Sequence, residues 1–197
     1  MKSPTLLAVA TLAFAAPSLA QKATPGAVRE KTVDAAKKDE KPATPPQEAK
    51  PSETLKASLK DAKGQPVGDV TLEQTPHGVL IKGSLSNLPA GTHAIHIHET
   101  GKCEAPEFKT AGGHFNPSKK THGMLSPGGK HEGDLPNLVA GQDGKVQFEF
   151  FANDGLTTQS LLDADGSAVV VHAKADDYKT DPAGDAGGRI ACGIVSK

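Results

Sequence analysis

HAIHIHE, residues 93–99, alternates histidine with small and branched apolar residues. Successive side chains of a β-strand leave opposite faces. A strand here therefore puts His96 and His98 on one side and Ile95 and Ile97 on the other. The isoleucines suit a core, and the two imidazoles, ~7 Å apart along the strand, suit neighbouring positions around one ion. His93 has the isoleucine parity and reads as a buried, hydrogen-bonded structural histidine.

Outward from this stretch the chain keeps the same character. LKASL (55–59), VTLEQ (70–74), VLIKGSL (79–85), LPNLVA (135–140), VQFEFF (146–151), AVVVH (168–172) and RIACGIV (189–195) read as further strands. They are bounded by turns such as GQPVG, TPHG and NLPAG, the second containing His77 as a plain turn residue. Short strands, many Gly/Pro turns and no sustained 3.6-residue period predict an all-β domain, an antiparallel sandwich or barrel of eight strands. Two connections, 100–134 and 173–188, are long and rich in Gly, Pro, Asp and His. Loops of this length in a compact domain are usually functional or held by something other than an apolar core.

The chain of 197 residues divides into unlike parts. MKSPTLLAVATLAFAAPSLA (1–20) has Lys2, an apolar run and a small-x-small exit at Ser18-Leu19-Ala20, the pattern of a secretory signal peptide. Its apolar run is shorter than the ~20 residues a membrane span needs. Residues 21–53 carry five prolines, seven basic and six acidic residues and no aromatic residue. Such a segment cannot bury enough apolar surface to offset its ordering entropy, so it is expected to be a disordered Ala/Lys/Pro-rich linker, a spacer or a tether. Residues 54–197 are enough for one domain with one core. The net charge of −1 and scattered basic residues argue against nucleic acid as a partner. An export signal with two cysteines implies an oxidising compartment, periplasmic or extracellular, and one intrachain pairing, Cys103–Cys192. Two buried thiols are the alternative.

The first long connection holds His114, His122, His131 and Asp134. Three imidazoles and one carboxylate make a closed tetrahedral set suited to structural zinc. Six of the eight histidines fall in this loop, in HxH, or at the strand end His172.

HxHE, GGHFNP, the run His114–His122–His131–Asp134, VVVHAKADD and GGRIACG together resemble the copper/zinc superoxide dismutases, in order and over essentially all of 54–197. The resemblance implies a Greek-key barrel with two functional loops, and copper and zinc as cofactors. It implies that copper is held by His96, His98, His114 and His172, and zinc by His114, His122, His131 and Asp134. His114 would thus bridge both metals. Four imidazoles suit copper(II). Asp176 matches the aspartate that hydrogen-bonds the far nitrogens of His96 and His122, while Asp177 reads as a solvated neighbour. Arg189 matches the active-site arginine, and Cys103–Cys192 the family disulfide.

The activity implied is disproportionation of superoxide to oxygen and hydrogen peroxide. Zinc has no redox chemistry, so copper must alternate between Cu(II) and Cu(I). His114 and Arg189 would be the catalytic side chains, one handling a proton and the other binding the anion. Electrostatic steering is expected, with Lys109, Lys174 and Lys179 as candidates and none assigned. The resemblance allows a homodimer. A secreted copper- or zinc-binding protein without turnover is the competing reading. Loss of a copper ligand or of the arginine would favour it, and neither is lost.

Overall fold

Alternation accounts for the first strands. In the computed structural model, which describes residues 53–197, β1 (Thr54–Asp61) buries Leu55, Ala57 and Leu59 and exposes Lys56, Ser58 and Lys60. β2 (Pro66–Thr75) and β3 (Gly78–Leu85) follow suit with Val70 and Leu72, then Val79 and Ile81, all fully buried. The signal peptide expected at 1–20 and the linker at 21–53, its last residue Glu53 excepted, lie outside the described residues.

The remaining strands are β4 (Gly91–His93), β5 (Ile95–His98), β6 (Leu138–Ala140), β7 (Val146–Ala152), β8 (Ala168–His172) and β9 (Arg189–Ser196). Seven form one antiparallel sheet in the order β5-β8-β9-β1-β2-β3-β7, and β4 pairs with β6. The whole is an all-β half-barrel of curled antiparallel sheet.

The eight expected strands are present, and one of them is divided. The stretch 93–99 breaks at Ala94, so β4 pairs with β6 while β5 pairs with β8. Ala94 donates its N–H to the Lys174 carbonyl at 2.8 Å and accepts the His172 N–H at 2.9 Å. The segment around the end of β8 thus takes the backbone groups that would have continued one ladder. At 135–140 only Leu138–Ala140 forms a strand.

β5 and β8 are buried on both faces. Ile95, Ile97, Val169 and Val171 join the main core, each isoleucine contributing about 1.5–3 kcal/mol of burial. The opposite faces carry His96, His98 and His172 and are covered by the long loop 99–137. Under that loop Phe108 and Ala111 pack on Ala168, Val170 and Cys192. β5 also lies at the edge of its sheet, and the loop pairs with that edge. Ile97 donates to the Gly133 carbonyl at 2.9 Å, Phe115 to the Ile97 carbonyl at 2.8 Å, and Glu99 to the Gly113 carbonyl at 3.0 Å. Gly133 is required here, because a Cβ would strike the Ile97 carbonyl oxygen. Among the described residues no helix is long and apolar enough to cross a membrane.

Candidate metal centre

His96 and His98 leave β5 on the same face, their ring centroids 6.5 Å apart. His172 enters from the end of the neighbouring strand β8, and His114 from the loop segment bridged to His98. These four, all buried, bring one ring nitrogen each within 4.8 Å of the others. His114, His122, His131 and Asp134 meet the same criterion, and so do His96, His122 and Asp176. His93 stays apart, buried between the carbonyls of His172 and Pro89 at 2.9 and 2.8 Å. His77 is exposed in its turn.

For the first four rings, hydrogen bonding indicates which nitrogen carries a proton. A carbonyl oxygen only accepts. His98 Nδ1, 3.0 Å from the Gly112 carbonyl, and His172 Nδ1, 3.4 Å from the Gly187 carbonyl, are therefore the protonated atoms. Their Nε2 lone pairs face each other at 3.3 Å, an arrangement that repels unless a cation lies between them. His96 donates Nε2–H to Asp176 Oδ2 at 2.8 Å and leaves Nδ1 without a partner. His114 Nδ1 meets Asp134 Oδ1 at 2.8 Å and leaves Nε2 without a partner. An orphaned buried polar atom costs about 1–3 kcal/mol. Four lone pairs converging with no donor among them suit a metal ion that favours nitrogen, such as copper(II).

The second group is organised around a carboxylate. Asp134 Oδ1 faces Nδ1 of His114, His122 and His131 at 2.8, 3.0 and 3.3 Å, and the His131 and His114 nitrogens stand 3.4 Å apart. Ligands of a tetrahedral ion with ~2.0 Å bonds stand roughly 3.3 Å from one another. The donor set and its spacing therefore fit zinc. Asp134 Oδ2 is held separately, by the N–H groups of Gly123 and His131 at 2.9 and 3.0 Å.

Asp176 joins the two groups. It accepts from His96 Nε2 with one oxygen and from His122 Nε2, at 3.0 Å, with the other. Gly184, in a left-handed conformation, passes so close that a Cβ would overlap both Asp176 and His122. The loops are stitched further by His122 N–H to Asp181 at 2.7 Å and Leu125 N–H to the Tyr178 carbonyl at 3.0 Å.

Charge separates the two ends of this cluster. Burial, and then neighbouring positive groups, push His98 well below its ordinary pKa and His172 down to about 3. Burial also lowers His114 to about 4, against the opposing hydrogen bond to Asp134. Burial works against the charged form of His122 too, yet the two carboxylates beside it outweigh that and raise it to about 9. Asp134 and Asp176 are held below the usual carboxylate range. Burial opposes this, and the hydrogen bonds from His114 and His122 to the first, and from His122 and His96 to the second, prevail.

Arg189 opens β9 beside His172. Its guanidinium donates to the carbonyls of Phe108 and Gly112 at 2.7 and 2.6 Å, the second being the carbonyl that also orients His98. Three residues on, Cys192 forms a disulfide with Cys103 and ties this strand to the loop. His98, His114, His172 and Arg189 line a cavity of about 580 Å³, with Lys119 and Lys120 on its wall. Neither lysine was among the steering candidates. Lys109 and Lys174 pair instead with Glu107 and Asp185, at 2.8 and 3.7 Å. The adjacent pair in NPSKK, a few residues after His114, was the available signal. Nothing in the sequence pointed to Asn137, which acts on Asp176 from 39 positions away, or to Tyr178, two positions beyond Asp176.

Comparison with known proteins places the chain in a family. The family model described as copper/zinc superoxide dismutase (SODC) matches residues 67–195. Superoxide dismutase (Cu-Zn) 1 of Aquifex aeolicus is 49% identical over 145 residues, covering 71% of this chain and 85% of that protein. The Caulobacter vibrioides superoxide dismutase (Cu-Zn) is 45% identical over 145 residues, with 71% and 83% covered. Among solved structures, a SOD-like protein from Bacillus subtilis is 43% identical with a TM-score of 0.66, over 71% of this chain and 96% of that one. The Cu/Zn superoxide dismutase from Brucella abortus is 29% identical with a TM-score of 0.63, over 73% and 100%. The chain belongs to the copper/zinc superoxide dismutase family.

Proposed function

We propose that this chain is a superoxide dismutase, converting two superoxide anions and two protons into oxygen and hydrogen peroxide. The observation that carries the reading is His114. It stands between the two donor groups, Nδ1 toward Asp134 and an unpartnered Nε2 toward the imidazoles of His96, His98 and His172, on the wall of a cavity it shares with Arg189.

His96, His98, His114 and His172 would hold copper, and His114, His122, His131 and Asp134 zinc. Bound copper supplies one-electron chemistry, and bound zinc supplies fixed charge that holds the loop and tunes the basicity of His114. The side chains supply the rest. Arg189 presents its cationic fork to the incoming anion, pinned by the carbonyls of Phe108 and Gly112. When its Nε2 is not engaged by copper, His114 would carry a proton there and give it to the reduced substrate. Asp176 keeps the rings of His96 and His122 aimed inward.

The disulfide and the relation to bacterial enzymes are consistent with an exported protein, in the periplasm or beyond the cell. A homodimer is the assembly to look for, by light scattering of the purified protein.

Dismutase activity measured on protein with both metals counted tests the reading. One copper and one zinc per chain, with activity lost on copper removal and restored with copper, is the expected result. Full occupancy without turnover would instead leave a metal-binding protein.

A further inference from the structure

Asp176 aligns two rings at once, so something must align Asp176. Its place in the connection 173–188 does not do so alone, since neighbouring Asp177 is exposed and caps only a local turn through Lys179 and Thr180. The partner comes from the other loop. Asn137 Nδ2 donates to the Asp176 carbonyl at 2.9 Å, and Asp176 N–H donates to Asn137 Oδ1 at 2.8 Å. This pair occupies both backbone groups of Asp176 with one planar amide, leaving its carboxylate free for His96 and His122. The backbone N–H of Asn137 is itself held by the Tyr178 hydroxyl at 2.7 Å. Tyr178 N–H returns to Asp176 Oδ1 at 2.6 Å. Asn137, Asp176 and Tyr178 thus close a ring of hydrogen bonds joining the two loops behind the metal ligands.

We infer that Asn137 is a positioning residue for both metal sites: it fixes the backbone of Asp176, and through Asp176 the rings of His96 and His122, with the Tyr178 phenol as its own anchor. The inference rests on the copper and zinc reading above. Asn137 stands one hydrogen bond further from the metals than Asp176. Its removal should therefore have an effect at the low end of the 10–100-fold range typical for partners of metal ligands.

The chain supplies its own reporter, with one tyrosine and no tryptophan. Tyrosine emission therefore reads the Tyr178 hydroxyl directly. The experiment uses the protein loaded with copper and zinc, in wild type, Asn137→Ala and Tyr178→Phe. A Phe150→Ala control trims a ring packed on the barrel core. Zinc loss to excess chelator and the Cu(II) absorption and paramagnetic spectra are recorded for each, and tyrosine emission for every protein but Tyr178→Phe. Asn137→Ala should lose zinc roughly 10-fold faster, shift the Cu(II) spectra and alter tyrosine emission. Tyr178→Phe should do the same to zinc and copper to a lesser degree, which covers the case in which Asn137→Ala does not fold. Phe150→Ala should lower the Tm and leave zinc loss and the Cu(II) spectra at wild-type values. Unchanged zinc loss and Cu(II) spectra in both loop variants would overturn the inference, as would equal changes in Phe150→Ala. A wild-type chain that takes up neither metal would instead overturn the metal reading itself.

Discussion

The two candidate ligand groups are built in opposite ways. His114, His122, His131 and Asp134 come from one loop within a span of 21 residues, and the chain wraps round a point. His96, His98, His114 and His172 come from two strands and that loop, and depend on β5 pairing with β8. The first group contains a carboxylate with its outer oxygen tied down by backbone N–H groups. The second contains only imidazoles, opens on a cavity and has Arg189 beside it. The difference separates a site that shapes its loop from a site the barrel shapes for a reactant.

Breaking one group should leave the other standing. On the proposed assignment His172→Ala removes a direct copper ligand and should lower dismutase activity by more than the ~100-fold typical of losing a ligand's partner, while zinc content stays at wild type. Parallel metal analysis and activity assays check it, and retained turnover would refute the copper assignment. Asp134→Ala strikes the local group. Zinc affinity should fall at least ~100-fold while copper still binds the barrel-built set, as competition with a chelator would show. Zinc content equal to wild type would remove Asp134 from the site.

The disulfide sharpens the contrast, because it joins the loop to β9 close to Arg189 and far in sequence from β5. Cys103→Ser with Cys192→Ser opens a closure of 89 residues and should cost up to about 4 kcal/mol, read from denaturant unfolding of the metal-free protein. The smallest effect belongs to Lys119→Ala with Lys120→Ala. If these lysines draw the anion toward the cavity, kcat/KM should fall roughly 2–5-fold at low ionic strength and lose most of its salt dependence. An unchanged salt profile would leave them as ordinary surface residues.

What could be read from sequence follows the same divide. Alternation in HAIHIHE fixed which side chains share a face, and spacing gathered the loop histidines, because both signals are local. His172 and Arg189 needed a family resemblance, since no local rule brings residues 96 and 189 together. The break at Ala94 escaped notice because its cause is a hydrogen bond to Lys174, 80 positions later. Asn137 escaped for the same reason, its role resting on an amide pair across 39 positions. Lys119 and Lys120 were legible as charges and gained meaning only from the cavity they face.

The pairing of the loop with β5 carries one more consequence. A sheet edge with free N–H and C=O groups is a template for strands of other molecules. Here the groups of Ile97 and Glu99 are satisfied by Gly113, Phe115 and Gly133, which flank the proposed ligands His114 and Asp134. On the zinc assignment proposed above, metal binding would therefore protect this edge as well as shape the site. A chain that lost its zinc would loosen the cover over β5 and offer IHIH, whose two isoleucines are otherwise fully buried, to the next chain as the start of an intermolecular sheet.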